Sequence, residues 1–184
     1  LETRKAGVIE TFDLIKSVRK VITQKQEVFS DKVSVNLGIQ TSEDLPDELL
    51  VSGPRAEFEA SIANIITNSF EAIEAVGEVL VAIQCENGIA EINIKDNGKG
   101  IPAEILPRLM LEGSTFKPEG NGLGLFHARS TVESKMNGHL EIYSTEGVGT
   151  TVTLKIPVKT EILKPLLNMD IFPGMNLVFI DDRR

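Results

Sequence analysis

The sequence predicts an α/β fold, and three observations carry that expectation. Apolar residues recur every three or four positions over 57–76, at Phe58, Ile62, Ile65, Ile66, Phe70 and Ile73, the period of a helix with one buried face. Over 79–83 and 89–94 they alternate with polar residues about the turn Glu86-Asn87-Gly88, the pattern of an antiparallel hairpin. The repeat Gly120, Gly122, Gly124 then runs into a second helical segment, 123–135. Helix and strand signals therefore share one stretch of chain.

At the N-terminus, Val8, Phe12, Ile15, Ile22 and Phe29 follow a four-three seam interrupted by Arg19 and Gln26, while Leu14, Val18, Val21 and Val28 form a second apolar stripe. One stripe suits packing on the domain and the other a partner helix; a plain core helix is the alternative. In the helix over 57–76, Asn64 and Asn68 lie four apart and share a face offset from the apolar stripe. Two amide oxygens one turn apart can point together at a hard cation such as Mg2+. Taken without their surroundings they are equally readable as solvated asparagines, since Asn is a poor helix former that persists on exposed faces.

The second hairpin strand delivers Asp96 at the head of Asp96-Asn97-Gly98-Lys99-Gly100-Ile101. A carboxylate there can accept a hydrogen bond from a ligand amine while glycines 98 and 100 let backbone approach a flat ring, with Ile101 as an apolar wall. The alternative is a Gly-rich turn in which Asp96 caps a short helix over 102–106. No period fits 106–119, and the polar run 112–120, broken by Pro118, reads as a mobile loop able to act as a lid. Lys117 in it is either a mobile positive charge for the site or an ordinary solvated lysine. Gly120, Gly122 and Gly124 open the helix that begins at Leu123, so backbone amides and the positive end of the helix dipole are available for phosphates.

Together, the asparagine pair, the Asp-x-Gly-x-Gly run and the Gly-rich run resemble the Bergerat-type ATP-binding fold shared by gyrase, MutL-type proteins and sensor histidine kinases. The wording Asn64-Ile65-Ile66-Thr67-Asn68-Ser69-Phe70-Glu71-Ala72 is similar to the kinase pattern Asn-Leu-Leu-x-Asn-Ala-x-Glu-Ala, and 137–142 with 147–157 resembles the last two strands of the kinase ATP-binding domain. The resemblance spans roughly residues 10–157. It implies a two-layer α/β sandwich, a mixed sheet covered on one face by helices, with an N-terminal helix. The implied organisation is the end of a dimerisation-type helix over 1–30, the ATP-binding domain over 31–157, and a linker over 158–184. Asn176-Leu177-Val178-Phe179-Ile180-Asp181-Asp182 in that last stretch is similar to the first strand of a receiver domain; an extra strand docking on the ATP-binding domain is the alternative. For the site, the resemblance implies that Asp96 receives the adenine amino group, with Gly98, Gly100 and Ile101 beside the ring. It places Mg2+ on Asn68 with Asn64 assisting catalysis, the phosphates on Gly120, Gly122, Leu123, Gly124 and Lys117, and Thr151 near the adenine beside Asp96.

The implied activity is that of the catalytic domain of a two-component histidine kinase, using ATP and Mg2+. Hydrolases of this superfamily carry a glutamate general base one turn before the metal-binding Asn, where this chain has Asn64. An amide takes no proton at neutral pH, which removes a contribution commonly worth about 10²–10⁴ in rate. Phosphoryl transfer to a neutral imidazole needs no such base. The chain's two histidines, His127 after the Gly-rich loop and His139 at the start of a strand, lack the expected acceptor setting on a dimerisation helix beside an acid. The acceptor is therefore expected on histidine-bearing dimerisation helices outside this stretch, with a cognate response regulator or fused receiver domain as the further partner. A non-phosphorylating regulatory module and an ATP hydrolase are the rival readings.

Composition narrows the rest. With 41 % hydrophobic residues in 184 and a net charge of −8, the chain can bury a proper core, and its acidic balance argues against nonspecific nucleic-acid binding. No apolar stretch of about 18 residues spans a bilayer, so the fragment is expected in the cytoplasm, with a membrane anchor open to the full-length protein. Cys85, the single cysteine, fits a reducing compartment and a small core position.

Overall fold

The computed structural model describes residues 7–29, 35–41, 45–108 and 124–159. Lys117, Gly120, Gly122, Leu123 and the receiver-like stretch 176–182 lie outside the described residues. A short strand β1 (Glu10–Asp13) leads into helix α1 (Leu14–Val28), followed by β2 (Val35–Thr41), β3 (Leu50–Gly53), helix α2 (Arg55–Ala72), β4 (Gly77–Glu86) and β5 (Ile89–Asp96). After a 3₁₀ turn at Leu106–Arg108 come helix α3 (Gly124–Arg129), continued by π turns over Ser130–Lys135, and strands β6 (His139–Thr145) and β7 (Gly149–Pro157).

Five strands form a mixed sheet in the order β2-β4-β5-β7-β6, with β2 parallel to β4 and the other neighbours antiparallel. Because side chains alternate across a strand, one face collects Val79, Val81, Ile83, Ala90, Ile92, Ile94, Val152, Leu154 and Ile156, all buried. The helices cover that face; Phe58, Ile62, Ile65, Ile66 and Phe70 of α2 are at most 1 % exposed. This is the two-layer sandwich the resemblance implied. Among the described residues, no helix is long and apolar enough to cross a membrane.

The expected hairpin is present and longer than the alternation alone indicated, running Gly77–Glu86 and Ile89–Asp96 about the two-residue turn Asn87-Gly88. Helix α2 begins two residues before its expected start and stops at Ala72, four before its expected end. Ile73 is extended at φ −93°, ψ 116°, which keeps its side chain in the core at 8 % exposure. In place of a short helix at 102–106 there is a turn closed by Ile105 N–H to Pro102 O at 3.0 Å, and the 3₁₀ turn follows.

The N-terminal segment differs most from its sequence reading. Residues 10–13 are not helical but pair antiparallel with β3, from Glu10 opposite Gly53 to Asp13 opposite Leu50. Asp13 then caps α1, its Oδ1 accepting from Ile15 N–H at 3.0 Å, the usual device for free amides at a helix start. Both apolar stripes enter one core: Phe12, Ile15 and Ile22 from the first, Leu14, Val18 and Val21 from the second. Helix α1 therefore packs into the domain core, while Val8 of the first stripe and Val28 of the second stay 80 % and 69 % exposed.

Glu59 ties α1 to α2, accepting from Lys20 Nζ at 2.6 Å and Arg55 Nε at 2.9 Å. Burial pushes its carboxyl pKa up, but the hydrogen bonds and charges of Lys20 and Arg55 outweigh this and hold it below the ordinary 4.5. A depressed folded-state value stabilises the fold above pH 4.5, and the contribution is lost as pH falls through the folded-state value. Glu59→Gln should therefore cost about 1 kcal/mol or less at pH 7, its cationic partners being exposed. Urea titrations at pH 7 and at pH 3 should show that cost shrinking in acid.

Candidate functional site

The loop after β5 is held in place by its own backbone. Asp96 is 4 % exposed, and its Oδ1 accepts from Gly98 N–H at 3.0 Å and Thr150 N–H at 3.1 Å. Both bonds use one carboxylate oxygen, so among the described residues Oδ2 remains to receive a ligand donor. Asp96 thus organises its own loop rather than capping a following helix. Lys99 N–H donates to Ala72 O at 2.9 Å and Gly147 N–H to Lys99 O at 2.7 Å. Asn97 anchors the loop's start, with its Oδ1 accepting from Glu78 N–H at 2.8 Å and its N–H donating to Glu78 O at 3.3 Å.

The glycines of the run answer first to the protein. A Cβ at residue 98 would lie 2.7 Å from Ala72 O, and one at residue 100, where φ is +66°, would run into the Thr145 carbonyl. Gly98 and Gly100 were expected to give a ring clearance; the contacts they permit are with the end of α2 and the β6–β7 turn. Gly149 belongs to the same arrangement, since a Cβ there would collide with Asp96 O and sit 3.0 Å from Asn97 Cα.

The register corrects one expected site residue. Asp96 pairs with Thr150, whereas Thr151 pairs with Lys95 on one side and Tyr143 on the other. Directly paired residues point to the same face and neighbours to opposite faces. Thr150 therefore shares the helix-covered face with Asp96, and Thr151 lies on the uncovered face. Ser144, opposite Thr150, completes the cluster: its Oγ accepts from Ile101 N–H at 2.8 Å, lies 3.0 Å from Gly149 O and is 2.9 Å from Thr150 Oγ1. The half-buried Ile101 is thereby pinned beside Asp96.

On α2, exposed Asn64 and half-buried Asn68 face the same way as Glu57, seven residues before Asn64 and so on the same side of the helix. Helix α3 runs along that side. A Cβ at Gly124 would lie 3.8 Å from Asn64 Cβ, 3.9 Å from its Cγ and 3.9 Å from its Nδ2. Toward the far end, Glu57 Oε2 accepts from Lys135 Nζ at 2.6 Å and from Thr131 Oγ1 at 3.4 Å, while Oε1 accepts from Gly7 N–H at 3.1 Å. The Lys135 hydrogen bond is the main reason the Glu57 carboxyl titrates below its ordinary range. The structure thus brings the start of α3 onto Asn64.

The donor set suits Mg2+ held jointly by protein and ligand. Among the described residues no group of three or more His, Cys, Asp or Glu side chains forms a metal cage. The amide oxygens of Asn64 and Asn68 are the kind of sparse protein contribution that Mg2+ accepts, since it commonly keeps waters and takes ligand oxygens for the rest.

His139 stands differently from its sequence reading. Its Nδ1 is 3.0 Å from Glu133 Oε1 and its Nε2 3.7 Å from Glu141 Oε1, so it does have acidic neighbours, although on a strand start rather than a helix. His127, on α3, packs edge-on against Phe126 at 5.8 Å between ring centroids. Cys85 sits half-buried on β4, its thiol pKa raised by burial.

A family model described as histidine kinase-, DNA gyrase B-, and HSP90-like ATPase matches residues 55–160. Over 161 residues the chain is 29 % identical to the sensor protein DegM of Bacillus sp. (strain B21-2), an alignment covering 88 % of this chain and 42 % of that protein. The chain thus spans less than half the length of that curated relative. Among solved structures, the catalytic domain of histidine kinase ThkA superposes with a TM-score of 0.71 at 21 % identity, covering 82 % of this chain and 95 % of that one. The structure of ThkA in complex with the response regulator protein TrrA superposes with a TM-score of 0.66 at 19 % identity, over 81 % of this chain and 41 % of that one.

Proposed function

Because this chain belongs to the histidine kinase-, DNA gyrase B- and HSP90-like ATPase family, we propose that it binds ATP with Mg2+ and passes the γ-phosphate to a histidine other than its own His127 and His139. The observation that carries the nucleotide reading is Asp96: a buried carboxylate whose Oδ1 is taken by two backbone amides while Oδ2 is left for a donor. In this reading Oδ2 receives the adenine amino group, and Thr150 replaces Thr151 as the threonine of the site. Gly98 and Gly100 hold the loop for the ring, and Ile101 flanks it. Asn64 and Asn68 face the phosphates, with Mg2+ on the Asn68 amide oxygen; the metal neutralises charge that develops on the transferring phosphoryl group. Gly124 with Gly120, Gly122, Leu123 and Lys117 would surround the phosphates.

Asn64 favours transfer over hydrolysis, since no carboxylate one turn before Asn68 is available to activate water. The full activity would require histidine-bearing dimerisation helices, and a response regulator or receiver domain would take the phosphoryl group onward; the ThkA complex with TrrA supports that partner class. A compartment on the cytoplasmic side suits such partners.

Calorimetric titration with MgATP tests the binding step. Asn68→Ala should reduce affinity about tenfold with Mg2+ present and by much less in EDTA, the loss of one metal ligand being felt only with the metal. Equal losses in both buffers would remove Asn68 from the metal site. Incubation with a histidine-bearing dimerisation fragment then separates transfer from phosphate release: phosphohistidine supports the kinase reading, free phosphate alone supports a hydrolase, and neither supports a regulatory module.

A further inference from the structure

We propose that Ser144 sets the hydrogen-bond sense of the Thr150 hydroxyl and so makes the nucleobase end of the site an acceptor-only surface. The proposal rests on the ATP-binding reading and extends it to a residue that acts through another. Ser144 Oγ has three neighbours: Ile101 N–H, which donates to it at 2.8 Å, Gly149 O at 3.0 Å, and Thr150 Oγ1 at 2.9 Å. A hydroxyl owns one proton. A carbonyl oxygen can only accept, so the Ser144 proton goes to Gly149 O. The bond between the two hydroxyls must then run from Thr150 to Ser144.

The consequence falls on Thr150. Its proton is committed to Ser144 and its N–H to Asp96 Oδ1 at 3.1 Å, which leaves the hydroxyl with lone pairs alone. Its register partner Asp96, on the same face of the sheet, is likewise an acceptor. Oδ2 of Asp96 and Oγ1 of Thr150 therefore both call for donors, directly or through water. An amino-bearing purine edge supplies them. A purine with a carbonyl oxygen in that place meets only lone pairs, and buried polar atoms left without a partner are costly. Ser144 is thus a positioning residue whose effect is read in base choice.

The test compares MgATP with MgITP, which replaces the amino group by a carbonyl oxygen and keeps ribose and phosphates, on the 184-residue chain by calorimetry. Wild type should prefer ATP. Ser144→Ala releases the Thr150 proton, so ITP gains a donor while ATP keeps an acceptor, and the ITP-to-ATP ratio of dissociation constants should fall by about threefold or more. Ser144→Thr keeps a hydroxyl and should retain the wild-type ratio. Thr150→Val removes the acceptor while leaving the other two Ser144 bonds, and should also narrow the ratio, chiefly by weakening ATP; it serves if Ser144→Ala does not fold. Equal weakening of both nucleotides in the Ser144 and Thr150 variants would make the pair purely structural and overturn the proposal. Wild-type binding of ATP and ITP with equal affinity would overturn it as well, and wild-type binding of neither would remove the nucleotide reading on which it stands.

Discussion

Asp96→Asn should weaken MgATP binding by about 100-fold or more while leaving the fold intact, because it exchanges a charged acceptor for a misdirected donor. Asp96 Oδ1 accepts from Gly98 N–H and Thr150 N–H. An asparagine must keep its single carbonyl oxygen at that position or leave two buried amides unpaired. Its NH2 group is then forced into the Oδ2 position, donor against the donor of the adenine amino group. Calorimetry reads the affinity, and a thermal scan should find the midpoint within a few degrees of wild type. Undiminished affinity would separate Asp96 from the base, and a collapsed midpoint would mean that the charge serves the loop alone.

The second large effect concerns stability. Gly100→Ala should cost several kcal/mol, because φ is +66° and the added methyl has no room: it runs into the Thr145 carbonyl and would lie 2.7 Å from its carbon. Gly147 provides the internal control, at φ +76° with nothing within 4 Å of an added Cβ. Gly147→Ala should therefore show only the left-handed penalty, about 1–2 kcal/mol. Chemical denaturation of both variants isolates the collision as their difference. If the two cost the same, the Thr145–Glu146 turn gives way, and the loop is less tightly held than its hydrogen bonds indicate.

What could be read in the sequence depended on where each residue finds its partner. Helix α2, the β4–β5 hairpin and Asp96 at the strand end were legible because their signals are periodic and local. Thr151 was expected beside Asp96, where the register puts Thr150, because two adjacent threonines look alike in a motif, yet a step of one residue moves a side chain to the other face of a sheet. Ser144 gave no signal because two of its three partners are backbone atoms, one of them the N–H of Ile101, 43 residues away. Asn97 bonds to Glu78 backbone across the hairpin and was silent for the same reason. At the N-terminus the even apolar spacing concealed a change of element: Phe12 is buried from a strand and Ile15 from a helix, and Asp13 between them is the local sign of the break. Strands β2 and β3 drew no expectation, although Val33, Val35, Leu37 and Ile39 alternate with Ser34, Asn36 and Gly38, a strand pattern; both strands pair with elements distant in sequence.

The two ends of the described domain share a fastening. Strand β1 lies along β3, and just past β7 the N–H of Lys159 donates to Leu50 O at 2.7 Å while its Nζ reaches Thr11 Oγ1 at 2.6 Å. Tension applied at residue 10 would load this four-residue ribbon before it reached the five-stranded sheet. Two-stranded ribbons are weak on their own, so the N-terminal strand would part first and the strand carrying Asp96 would keep its neighbours. From that end, the site is built downstream of a fuse.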